Sequence, residues 1–121
     1  MRLRLAKAIK KATGKWVETT YFDNVLTDVH KETICEAIDG LTSNGRQLYE
    51  HDTVTIKTSN YIFFGYELVW NDEDLCWCGK RRGKPENDGF DTIKLNSKWA
   101  YIYEGNAFDD WVEKKEQELY I

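Results

Sequence analysis

Cys76-Trp77-Cys78 is where residue type and spacing come nearest to chemistry. Side chains alternate along a strand, so positions two apart put both thiols on one face. With His30, His51 or Cys35 they offer ligands of the kind zinc takes. Zinc, however, wants four ligands in a tetrahedron, and the strong signature is a doubled Cys-x-x-Cys pair. A single Cys-x-Cys stands here, so the expectation is buried thiols that behave as small apolar groups. Cys35 with a histidine has the ingredients of a nucleophile and its base, but nothing around Cys35 resembles a nucleophile motif. His30 and His51 are expected at surface or turn positions. Glu50 and Asp52 flank His51, and Asp72, Glu73 and Asp74 form a second acidic group. Paired carboxylates do acid–base work or hold magnesium. Both groups fall in expected turns, where such side chains are commonly solvated. No Gly-x-x-x-x-Gly-Lys-Ser/Thr phosphate loop is present. The chain therefore reads as a non-enzyme with no catalytic residues, no metal and no cofactor.

Charge offers two candidate contact surfaces. Lys80-Arg81-Arg82-Gly83-Lys84 is a basic cluster beside aromatic segments. Lys80, Arg81, Arg82 and Lys84 have the chemistry to neutralise a nucleic-acid backbone. Trp70, Trp77 or Tyr66, if exposed, would stack bases; the simpler expectation places these aromatics in the core. Residues 1–15 carry Arg2, Arg4, Lys7, Lys10, Lys11 and Lys15 with no acid, whereas residues 104–121 are acidic. The two ends are expected to be solvated faces. Among the late acids, Asp109, Asp110, Glu113 and Glu116 accompany Trp111 and Val112. They form either a docking face for a basic protein partner or the outer side of a helix that covers a sheet.

The elements that would position these residues are mostly strands. Gly40 to Ile56 reads GLTSNGRQLYEHDTVTI. Asn44-Gly45 is a turn signal, since both residues tolerate positive φ, and Val54-Thr55-Ile56 alternates as a strand does. Lys15 to Phe22 is a strand by its β-branched and aromatic content. Residues 2–12 fit a strand and a helix equally well, because Leu5, Ala8, Ile9 and Ala12 also follow helical spacing. Val25 to Gly40 is ambiguous and closes at Asp39-Gly40. Tyr61 to Trp70 is a strand with Gly65 as a bulge. An acidic turn leads to a returning strand, Leu75 to Cys78, and Gly79 to Gly89 reads as an exposed loop. Short strands follow at Phe90–Leu95 and Trp99–Tyr103. Asn106 to Glu118 is the best helix, with Asn106 as its cap and Phe108, Trp111, Val112 and Lys115 on one face. The expected class is mainly β (α+β): a small antiparallel, barrel-like sheet with a C-terminal helix.

Composition agrees. The 121 residues suit one domain, 1–121, and a single proline, Pro85, leaves no room for a Pro-rich linker. Hydrophobic residues at 41% and charged residues at 31% make an ordinary globular balance. No apolar run spans a bilayer, the N-terminus lacks a signal-peptide centre, and the cysteines number three. These features point to a soluble protein of a reducing cytosol, with no membrane partner.

The order of segments resembles a known family. Gly40-Leu41, followed by Asn44 to Val54 (NGRQLYEHDTV), is similar to the block GLKDKNGKEIYEGDIV of the YopX-like proteins of phages and prophages. His51 stands where that block usually has Gly, and Thr53 where it has Ile. Gly14-Lys15-Trp16-Val17 resembles the NGKWVYG opening. Ile62 to Trp77 is similar to the family's strand, acidic turn and strand, and Trp99 to Asn106 to its closing VIGNIYENPELL, without the Asn-Pro. The resemblance implies a small β-rich, barrel-like fold and a mobile-element origin, hence the cytoplasm of a bacterial host. It brings no catalytic residues. The expected function is a non-enzymatic phage or prophage accessory protein that binds a host or bacterial-defence macromolecule, an inhibitor of a defence nuclease (anti-CRISPR-like) among them. The alternative is a nucleic-acid-binding module that uses the Lys80–Lys84 loop.

Overall fold

A computed structural model of the chain describes residues 4–21, 28–81 and 92–119. It is mostly strand, with antiparallel pairing throughout and a short C-terminal helix. The chain divides into two compact units, Met1–Ala37 with Phe108–Ile121, and Ile38–Ala107. Among the described residues no helix is long and apolar enough to cross a membrane.

In the first unit, β1 (Arg4–Ile9) and β2 (Trp16–Tyr21) form a hairpin with Ala6 opposite Thr19 and Ile9 opposite Trp16. Its connection closes by Gly14 N donating to Lys10 O at 2.8 Å. Gly14 adopts φ +69°, which glycine reaches without steric cost. The opposite edge of β1 meets the start of β3 (Cys35–Ser43), where Cys35 and Glu36 face Lys7 and Ala6. This settles the tie between strand and helix. Ala6, Lys7, Ala8 and Ile9 are all buried. A strand covered on both faces shows no alternation of burial, so its small residues also satisfy a helical template. Thr33, in a single 3-10 turn at Lys31–Thr33, is buried beside β1. Its hydroxyl accepts from Ile9 N at 2.9 Å and donates to His30 O at 2.6 Å.

The helix α1 spans Trp111–Leu119. It begins later than the sequence suggests. Asn106 is no helix cap; it ends a strand of the second unit. The carbonyl of Asp110 accepts the first helical bond, from Lys114 N at 3.0 Å, so Asp110 stands at the N-cap position. Trp111 lies against the His30 ring with centroids 4.4 Å apart, and Val112 lies next to Gly14.

In the second unit the rest of β3 turns through Asn44-Gly45, at φ +50° and +82°, into β4 (Arg46–Tyr49). Positive φ at both central residues is the hairpin turn whose twist matches that of strands. Gly40 does not end the element as expected: β3 passes through it at φ +75° and continues to Ser43. Five more strands follow: β5 (Asp52–Lys57), β6 (Ile62–Asn71), β7 (Cys76–Arg81), β8 (Thr92–Lys94) and β9 (Ala100–Asn106). They pair in the order β8-β7-β6-β5-β9. Register slips on both sides of β5, one near Gly65 at φ +71°, the other beside Gly105. Such bulges bend a sheet, and this one curls into a half-barrel. The concave side holds Ile38, Leu41, Leu48, Val54, Ile56, Tyr66, Leu68 and Tyr101. Gly79, Lys80 and Arg81 belong to β7 rather than to an exposed loop, whereas Leu75 belongs to the turn before it. Positions 82–89, including Arg82 and Lys84, lie outside the described residues.

Gly79 of β7 lies close against the core side chains of Ile56 and Tyr66. A Cβ built there would stand 3.3 Å from both Ile56 Cδ1 and Tyr66 Cδ2. Gly79→Val is expected to destabilise the protein by about 1–3 kcal/mol, because overpacking a filled core forces its neighbours off their rotamers. Urea denaturation checks this: an unchanged midpoint would mean that the core has slack at this position.

Candidate functional site

The β6–β7 hairpin builds one end of a surface groove. Its turn is tied by Asn71, whose side-chain oxygen accepts from Glu73 N at 2.9 Å and Asp74 N at 3.1 Å. Across the hairpin Trp70 faces Trp77, edge to face, with ring centroids 5.3 Å apart. Such pairs are favoured by the aromatic quadrupole. Ile38 and Leu41 of β3, Leu75 and Leu95 complete the apolar walls of a groove of about 430 Å³. Asp39, Lys94 and Cys76 supply its polar groups. Of the aromatics assigned to the core, Tyr66 is buried and Trp77 half-buried, but Trp70 is 40% exposed. Trp70 is the penultimate residue of β6, and Trp77 packs against it across the hairpin. Leu75, 73% exposed at φ +51° in the turn, stands at the rim.

The thiols lie as the spacing predicts. Cys76 Sγ and Cys78 Sγ are 3.6 Å apart, with Cys78 buried and Cys76 half-buried. Burial first, and then the hydrogen bond with Cys76, pushes the Cys78 thiol up, so it keeps its proton and makes a weak nucleophile. Cys35 is also buried, its thiol donating to Thr33 O at 3.3 Å, while the His30 ring packs at a tilt against Trp111. Among the described residues no group of three or more His, Cys, Asp or Glu side chains is placed to hold a metal.

The four late carboxylates, Asp109, Asp110, Glu113 and Glu116, are all exposed. One is anchored: the Trp16 indole donates to Asp109 Oδ1 at 3.0 Å. The helix thus turns Trp111 inward and keeps its acids in water. The basic residues are less available than the sequence suggests. Lys80 is exposed on β7 but stands opposite Glu67, and Arg81 is half-buried opposite Tyr66. Of the N-terminal bases, Lys7 is only 4% exposed and sits 4.8 Å from the centre of the Trp16 ring. It is no part of a solvated face.

The turn at Glu50-His51 departs most from expectation. Asp52 is fully buried, not solvated. Its carboxylate accepts from Tyr49 N at 2.8 Å and from Asn106 Nδ2 at 2.9 Å. His51 adopts φ +69°, a left-handed conformation uncommon for a residue other than glycine. Its N–H donates to Leu68 O at 2.7 Å, and its carbonyl accepts from Ala107 N at 2.9 Å. Its Nδ1 lies 2.8 Å from Glu67 Oε2. That hydrogen bond raises the imidazole pKa against the opposing pull of burial, with Glu50, Glu67 and Asp52 adding their charge. A histidine–carboxylate pair has the parts of a general base; this one joins the turn between β4 and β5 to Glu67 of β6. No signal in the local sequence marks Asp52 as buried, since its partner Asn106 is 54 positions away.

No family model, curated protein or solved structure matches the chain.

Because its folded pKa is raised, His51 stabilises the protein as the imidazolium. That contribution is whole below the unfolded value near 6.5 and is lost as pH rises through the higher folded value. His51→Asn, which keeps a residue tolerant of positive φ, should flatten the fall in stability above pH 6.5. Urea midpoints across a pH series test it, and an unaltered slope would assign the pH dependence elsewhere. Asp52→Ala should cost about 1–3 kcal/mol by removing the acceptor for two buried donors; a smaller loss would show that water replaces the carboxylate.

Proposed function

We propose that this chain is a non-enzymatic accessory protein of a phage or prophage that works by occupying the surface of a host or bacterial-defence macromolecule, as an inhibitor of a defence nuclease would. The observation that carries the reading is the exposed acidic group Asp109, Asp110, Glu113 and Glu116 at the start of α1, where Trp111 packs on His30 and Asp109 accepts from the Trp16 indole. Carboxylates held at fixed positions attract a basic groove over several ångströms and speed encounter with it. The resemblance of residues 40–54 to the YopX-like block supports the mobile-element origin. The nucleic-acid reading is weaker, because Lys80 stands beside Glu67 and Arg81 is half-buried.

Affinity capture from bacterial lysate, with mass spectrometry, is expected to return one stoichiometric protein. Asp110→Lys with Glu113→Lys and Glu116→Lys should abolish that capture while leaving the thermal midpoint within a few degrees. Binding to DNA or RNA with a steep salt dependence, flattened by Arg81→Glu with Arg82→Glu, would instead establish the nucleic-acid module. Capture unaffected by the charge reversals would refute the acidic face as the contact.

A further inference from the structure

We propose that Cys76 and Cys78 form a two-coordinate site for a soft monovalent cation of the Cu(I) and Ag(I) type, opening onto the groove beside Trp77. The sulfurs already touch, at 3.6 Å, on one face of a paired strand. Residues two apart on a strand have Cα atoms about 6.6 Å apart, near the upper limit for a disulfide. The strand therefore resists drawing the sulfurs into a bond, while a bridging cation, which holds them farther apart, needs only side-chain rotation. Zinc is not served, since the described residues bring no third ligand of its kind to the pair. Soft thiolates select Cu(I), for which two sulfurs suffice.

Binding changes the charge of the site. One cation replaces two thiol protons, M⁺ + 2 RSH giving [M(SR)₂]⁻ + 2 H⁺, which leaves one negative charge. Lys94 stands directly opposite Cys78 on β8 and lines the groove with Cys76. The Asp74 carboxylate also acts on Cys78, so the site carries its added charge beside an acid as well as a base. On the other flank Asn71 stands opposite Cys76 on β6. Half-buried Cys76 gives the ion its way in, and buried Cys78 shields it once bound.

The test titrates the reduced full chain with Ag(I), which has no redox chemistry to confuse the result, followed by native mass spectrometry. One silver per chain is expected, retained against excess free methionine. Cys76→Ser and Cys78→Ser should each lose it, and Cys35→Ser should keep it. Because a serine variant can fail to fold, the wild-type chain loaded with Cu(I) is also measured by X-ray absorption, where only two sulfur neighbours are expected. Silver surrendered to methionine, silver held equally by Cys76→Ser, silver bridging two chains, or nitrogen and oxygen neighbours around copper would each overturn the site.

Discussion

Taking the Asp52 carboxylate out of water is the demand around which the second unit is arranged. An unpaired buried carboxylate costs several kcal/mol, so it must be met by donors placed for it. Tyr49 N comes from the end of β4, and the Asn106 amide from the end of β9. Between them His51 takes a left-handed conformation, and its backbone bonds reach Leu68 on β6 and Ala107 just past β9. One turn thus pins four strands. The register slips on either side of β5 lie within this pinned region, and they turn a flat ladder into a curled sheet over the Leu48, Ile56 and Leu68 core.

That rigidity explains why the surface features can be specific. The Trp70–Trp77 pair and the two thiols are carried on paired strands, not on a loop, so their spacing is set by the ladder. The start of α1 is held by Trp111 on His30 and, just before the helix, by the Trp16 indole on Asp109. Groups fixed in this way need no ordering on contact, which a mobile surface would. The sheet also leaves apolar side chains in water away from the groove, with Phe64 71% exposed on β6 and Ile102 on β9.

Local rules were legible wherever the cause was local. Asn44-Gly45 turns because both residues accept positive φ, and Gly65 marks a bulge for the same reason. The Cys76 and Cys78 sulfurs meet because a strand alternates. A mainly β class with a C-terminal helix follows from such signals repeated along the chain. The helix start was misplaced because Asn106, a good capping residue in isolation, is engaged instead by Asp52.

By itself, then, the sequence determined the turns, the alternating strands, the paired thiols and the acidic character of the last segment, all of which depend on neighbours within a few positions. Only the tertiary structure decided that Arg4–Ile9 is a strand, since β2 and the start of β3 cover both its edges. It placed Lys80 and Arg81 in a ladder, because β6 and β8 were available to pair with β7. It also buried Asp52, which is met by Asn106 from far along the chain, and Lys7, and it left Trp70 exposed near the end of β6. Burial is a property of what packs from elsewhere, and no pattern confined to one segment contains it.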